Sequence, residues 1–255
     1  MTRTLRAAIA AVALAASGPA LALNICVEGA YPPFSETAVD GSIVGFDVDI
    51  ANALCAEIGE ECALVKVDWD GIIPALLEKK CDAIVASMSI TAERMAVIDF
   101  TKKYYQSPPM MIAAADSGLV ATPEGMAGKV IGVQRGTTHN AYLDKYYGAS
   151  EIRLYASQDE ANLDLAAGRV DAVMADSVAL SLGFLKTDRG AGFVALEGDF
   201  YEPEIHGAGV GIGIRKEDTD LRDRLSAAID AIRANGTYKE IESQYFDFDI
   251  YGGEN

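Results

Sequence analysis

Apolar residues recur along this chain in two alternating rhythms. Residues 24–28 make a short strand-like run, and Phe46, Ile50, Leu54 and Ile58 then fall four apart, on one face of a helix. A strand follows over 63–67, and Trp69, Ile73 and Leu76 mark a second helix, with Pro74 placed near its first turn. Ile84, Val85 and Ala86 form the next strand, and Asp99-Phe100-Thr101 leads through Tyr104, Tyr105 and the Pro108-Pro109 pair into a run over 110–115. The alternation then starts again. Strands are predicted over 129–134, 151–156 and 170–175, and helices from Gly136-Thr137-Thr138 to about 147, over 158–167 and over 178–186. Glycines at 207, 209, 211 and 213 strip one face of a further strand, which lets another backbone approach and suits a crossing between lobes. A helix over 221–234 ends at Asn235-Gly236, and Thr237 with Glu240 reads as a capping box for the last one. Strands alternating with helices predict an α/β fold.

Two passages repeat. EKKCDAIVAS, from Glu78, is echoed by AGRVDAVMADS, from Ala167, which sets Ser87 on Asp176; NICVEGAYPPF, from Asn24, is echoed by KVIGVQRGTTH, from Lys129. Repeats of this length predict two halves built alike. In each half, polar residues stand at the carboxyl ends of strands, where open α/β sheets bind ligands. The stretch IVASMSITAER, from Ile84, is the centre of the first half. Thr91 occupies an N-cap position, so Arg94 falls at about the third helical residue, where the macrodipole disfavours a cation by roughly 0.3–1 kcal/mol. Two readings of that arginine stand: an ordinary surface pair with Glu93 or Asp99, or a fork that holds a carboxylate together with free backbone N–H groups.

Composition sharpens the setting. Residues 1–22 carry Arg3 and Arg6, an apolar stretch over 7–16 and Ala20-Leu21-Ala22, the layout of a cleaved signal peptide too short to span a membrane. No cysteine follows the small-residue site directly, which predicts an exported product without a lipid anchor. The remaining ~233 residues suffice for one large domain or two lobes. The formal net charge of −17 falls to about −19 once the two arginines are removed. Such a surface repels nucleic acid and anionic lipid and favours a cationic small ligand. On a continuous helix Cys55 and Cys62 would stand ~10 Å apart, too far to bridge, but Gly59 can end the helix and let Cys62 fold back to pair. Cys26 and Cys81 head two apolar strands, as neighbours able to pair or as buried free thiols.

Hydrolytic and metal chemistry find no support. The chain has two histidines, His139 and His206, and carries no G-x-S-x-G elbow, H-E-x-x-H motif, C-x-x-C pair or P-loop. No catalytic residue, cofactor or metal is expected. The polar groups instead suit a zwitterion. Arg94 and the start of the facing helix at Gly136-Thr137-Thr138 would hold an α-carboxylate, Ser87 and Ser89 would add hydroxyls or carbonyls, and Asp176 would take an α-ammonium. Tyr31 and Trp69 could flank a ligand stem, although a single tryptophan is by default a core residue. His139 is read as lining a cleft or as a plain surface histidine.

EGAYPPFS, GFDVDIANALC, WDGIIPALLEKKCDAIVASMSITAER, GVQRGTTH, AGRVDAV, GIGIRKED and NGTYKEIESQYFDFDIYG together resemble the polar amino-acid-binding proteins of ABC importers, solute-binding family 3. The likeness runs nearly end to end through the mature chain and is nearest the lysine/arginine/ornithine–histidine and octopine/nopaline group. It implies a periplasmic, two-lobed Venus-flytrap fold, each lobe a mostly parallel sheet flanked by helices, joined by two hinge strands. The corresponding boundaries are a signal peptide over 1–22, a first lobe over 23–109 and 206–255, and a second over 110–205. The resemblance places the carboxylate arginine on Arg94, ligand serines on Ser87 and Ser89, the ammonium aspartate on Asp176 and the flanking aromatics on Tyr31 and Trp69. It places the distal acid on Glu28, the carboxylate threonine on Thr138 and the short-range disulfide on Cys55 and Cys62. Ala86 replaces a serine, Glu28 a more usual aspartate and His139 a common glutamine. The resemblance implies a monomer that captures an L-amino acid, arginine, ornithine, lysine or histidine, and delivers it to an inner-membrane permease, with no membrane insertion of its own. The alternative is a prephenate-type (cyclohexadienyl) dehydratase on the same fold, with Glu28 as its acid.

Overall fold

The computed structural model describes residues 22–253. The signal-peptide reading falls outside them except for Ala22, which opens the first strand. Two five-stranded sheets organise the molecule. In the first, Ala22–Val27 lies centrally, parallel to Glu61–Lys66 on one side and to Ala83–Ile84 on the other; Val210–Ile214 and then Asp99–Tyr105 complete it antiparallel. In the second, Val130–Gln134 lies between parallel Glu151–Tyr155 and Ala172–Asp176, and Pro109–Ala114 and Phe193–Ala195 complete the order antiparallel. The sheets share one topology, and the echoed passages occupy matching places in it. Asn24 and Lys129 open onto the two central strands, and Ala83–Ile84 matches Ala172–Asp176.

The chain crosses between the sheets twice. It leaves the first from the edge strand Asp99–Tyr105 and, after three intervening residues, enters the second at Pro109. It returns from Phe193–Ala195 to Val210–Ile214. The glycines before and within the returning strand have a steric cause. A Cβ on Gly207, at φ 73°, would meet the Ile90 carbonyl oxygen at 1.9 Å, and one on Gly211 would meet the Ile90 side chain at 2.8 Å.

Each sheet buries apolar side chains on both faces, as the pleat's period of two requires. Ile25 and Val27 face Phe34, Phe46, Ile50, Leu54 and Ile229, whereas Cys26 points the other way, to Ile72, Leu76, Ile84 and Met88. The second sheet repeats this with Ile131, Val133 and Leu143 on one side and Ile112, Val173 and Phe184 on the other. Cys55 and Cys62 are bonded: Gly59, at φ 77°, turns the chain beyond the helix Phe46–Glu57. Cys26 and Cys81, left open above, are bonded as well, on the buried face of the first sheet.

Two local expectations are corrected. Pro74 lies at the sixth position of the helix Trp69–Leu77, past its first turn, because the helix already begins at Trp69. Thr237 caps nothing: Gly236 takes the N-cap position at φ 95°, and the Thr237 N–H donates to Asn235 Oδ1 at 3.0 Å. A genuine capping box forms instead between Ser157 and Glu160.

Candidate ligand-binding site

The carboxyl ends of the parallel strands in the two sheets face each other across a cleft of about 320 Å³. Beyond Ala83–Ile84 the chain turns sharply. Ser87 adopts φ 54°, held there because its hydroxyl donates to Asp47 Oδ2 at 3.0 Å. Asp47 is fully buried, also accepts from Tyr104 at 2.8 Å, and is pushed by burial up to about 6 in spite of both donors. Thr91 then caps the helix Ala92–Met95 by accepting from the Arg94 N–H. The Arg94 side chain turns back into the cleft. It donates to the Ser89 carbonyl at 3.0 Å and, across the cleft, to the Gly136 carbonyl at 3.4 Å, with its guanidinium 5.2 Å from the Trp69 ring centre. Asp99 is paired with Arg222 at 2.6 Å, which removes it as a surface partner for Arg94. Burial pushes the Arg94 guanidinium down to about 10 although the charges of Glu93 and Asp176 act the other way, so it stays charged at neutral pH, and among the described residues no carboxylate is bonded to it.

Opposite, Thr137 caps the helix Thr138–Tyr146 by accepting from Asn140 N–H, and its hydroxyl donates to the Gln134 carbonyl at 2.7 Å. The first N–H groups of that helix, at Thr138 and His139, stand at the cleft with the positive end of its dipole. Asp176 ends its strand nearby and accepts from Tyr31 Oη at 2.7 Å, with His139 Nε2 3.5 Å from its other oxygen. Burial beside the Asp176 charge holds the Tyr31 phenol well above its usual range. Trp69, at the start of its helix, packs one edge on the core and donates its indole N–H to the Gly136 carbonyl at 3.3 Å.

Glu28 lies at the far end, one residue past its strand and only 5% exposed. Burial raises its carboxyl to about 7 despite a hydrogen bond from Gln134 Nε2 at 2.6 Å; the charges of Asp68 and Asp70 push the same way as burial. All ten residues singled out in the sequence line this one cleft: Glu28, Tyr31, Trp69, Ala86 and Ser87 with Ser89, Arg94, Thr138, His139 and Asp176. His139 is buried, so the surface reading of it is corrected; its place at the second turn position of a capped helix turns the ring inward.

Two residues escaped the sequence reading. Gln134 also lines the cleft, as does Thr137 of the expected helix start, and Asp47 supports Ser87 from beneath. Asp47 had a legible signal, an acid in register with Ile50, Ala51 and Leu54 on the apolar stripe of a helix. Gln134 is the polar end of an otherwise apolar strand, the position at which such sheets meet ligands. Among the described residues no cluster of three or more His, Cys, Asp or Glu side chains could hold a metal ion, and no helix is long and apolar enough to cross a membrane.

The model of the bacterial extracellular solute-binding proteins, family 3, matches residues 23–248. The chain belongs to that family. It is 47% identical to the L-arginine-binding protein of Pseudomonas aeruginosa, over 90% of each chain. It is 38% identical to the lysine/arginine/ornithine-binding periplasmic protein of Escherichia coli, over 90% of this chain and 89% of that one. Among solved structures it is similar to a Salmonella typhimurium periplasmic binding protein described for high arginine specificity, at 30% identity and TM-score 0.82, covering 88% of this chain and 99% of the other. The fold is thus the two-lobed α/β fold of periplasmic binding proteins, and the chain is a binding protein, not an enzyme.

Proposed function

We propose that the mature protein is the periplasmic substrate-binding component of an ABC importer and captures a cationic L-amino acid, arginine or ornithine first. One observation carries this reading: a single cleft sets a charged arginine, bonded to no carboxylate among the described residues, at one end and two buried acids, Asp176 and Glu28, beyond it. Arg94 and the Thr138 N–H receive the α-carboxylate, with Ser87 and Ser89 beside them. Asp176 takes the α-ammonium once Tyr31 yields its hydrogen bond, and Tyr31 and Trp69 flank the stem. Glu28 meets the distal cation, whose positive charge also offsets the cost of ionising that buried acid.

The lobes we assign are residues 23–109 with 206–255, and residues 110–205, and the membership of the two sheets supports that division. Capture closes them about the two crossings, and the loaded monomer delivers its ligand to the inner-membrane permease. The basic, apolar and small-residue layout of 1–22 supports export to the periplasm. The names of the arginine- and lysine/arginine/ornithine-binding relatives support the ligand class. Isothermal calorimetry of the purified mature protein against arginine, ornithine, lysine, histidine, glutamate and leucine tests it. Tighter binding of glutamate or leucine than of every cationic amino acid would overturn it.

A further inference from the structure

The far end of the cleft holds a residue with no assigned part. Gln134 is 2% exposed and closes the strand Val130–Gln134, on the lobe opposite Glu28. Its Nε2 lies 2.6 Å from Glu28 Oε1 and 3.2 Å from the Ala156 carbonyl oxygen. The Ala156 carbonyl can only accept, which requires the NH₂ group there. Gln134 Oε1 is therefore turned away from both, on a side chain that lines the cleft, and it accepts no hydrogen bond among the described residues. Glu28 Oε2 is likewise unpaired among them. Asp68 and Asp70 add negative potential, and Arg135 is engaged with Asp70 at 2.8 Å rather than with Glu28.

The distal end thus offers two unmatched acceptor oxygens, one from each lobe. We propose that Gln134 is the specificity-determining residue that makes this end select a planar guanidinium over a primary ammonium. The inference rests on the amino-acid-binding reading above and narrows its first pair, arginine or ornithine, to arginine. A guanidinium carries five N–H donors in a rigid fork and can bridge the Glu28 and Gln134 oxygens at once. An ammonium is a compact point charge, which gains most of its attraction from Glu28 alone. Because the Gln134 amide is oriented by Glu28 and Ala156 before any ligand enters, little ordering remains to be done on binding.

Calorimetry with arginine and lysine on the wild type, Gln134→Leu and Gln134→Met tests this. The wild type should bind arginine at least about tenfold more tightly than lysine. Each variant should weaken arginine about ten- to a hundredfold, as loss of a hydrogen bond to a charged group implies, and lysine by less than about threefold. The ratio matters more than either constant, because the lost donation to Glu28 acts on both ligands alike. The two replacements differ in shape, and a thermal melt of each identifies a folded one for the comparison. A wild type that binds lysine as tightly as arginine, or a folded variant that keeps the wild-type ratio, overturns the role of Gln134 and leaves the ligand class standing. A wild type that binds neither amino acid overturns the class reading itself.

Discussion

Replacing Arg94 with alanine is the sharpest perturbation of the cleft. The wild-type guanidinium already sits in surroundings that oppose its charge, pushed down to about 10 by burial, and its protein partners are two carbonyls at 3.0 and 3.4 Å. Neutral carbonyls only partly replace what a carboxylate would give, so the residue is poised for an anion. In Arg94→Ala the ligand carboxylate would enter the same partly desolvated site with helix N–H groups but no counter-charge. Removing one side of such a pair costs about 2–5 kcal/mol. At 1.4 kcal/mol per decade, arginine affinity should fall roughly 30- to several-thousand-fold. Arg94→Lys should recover part of the loss, because an ammonium lacks the bidentate fork. Stability should move little. The variant loses two weak hydrogen bonds and also sheds a poorly solvated cation, a net change within about 1 kcal/mol, or a shift of about 2–4 °C in the apo melting temperature for a chain of this size. Calorimetric titration of arginine into folded Arg94→Ala decides. Near-wild-type affinity, or a collapse of the apo fold with binding intact in the survivors, would refute the reasoning.

Glu28 should make ligand binding pH-dependent. Its folded carboxyl stands at about 7 against an ordinary 4.5, so its contribution to apo stability is present below about 4.5 and lost as pH rises through 7. A bound cation favours the ionised form, so arginine affinity should rise between pH 5.5 and 8 with proton release, and Glu28→Gln should both weaken arginine and flatten that profile; a wild-type profile as flat as the variant's would count against the distal assignment. Asp47→Ala should leave the buried Tyr104 and half-buried Ser87 hydroxyls without their acceptor and lower the unfolding free energy by roughly 2–4 kcal/mol in urea titrations, with Asp47→Asn much milder. Of the two disulfides, Cys26–Cys81 closes 55 residues and Cys55–Cys62 only 7, so the loop-entropy account gives about 4 against about 2.4 kcal/mol. Chemical denaturation of the two double-alanine variants should therefore show the larger loss for Cys26 with Cys81, and the opposite order would contradict it.

The repeated rhythm of strands and helices was enough to predict two similar halves, because burial on both faces of a sheet leaves near-continuous apolar runs in the strands and a four-residue spacing in the helices. The Thr91 cap was readable for a related reason: a cap is a contact between residues three apart, and sequence displays short-range contacts directly. Arg94 was legible by its misfit with the helix dipole, and the Cys55–Cys62 pair by the glycine between them.

Contacts between distant residues were not readable in this way. Cys26 and Cys81 could be neighbours or strangers until strand order set Ala22–Val27 beside Ala83–Ile84. Pro74 and Thr237 were misplaced by a few residues because tertiary packing chooses where a helix begins, over a propensity worth a fraction of a kcal/mol per residue. Above all, the Tyr31–Asp176 and Glu28–Gln134 pairs join residues 145 and 106 positions apart, across two lobes. The sequence by itself determined which residues carry charge, which strands end in polar groups and that the two halves repeat. Only the tertiary structure decided which of those groups meet, and with what desolvation, because both depend on how the two sheets face one another and not on any local spacing.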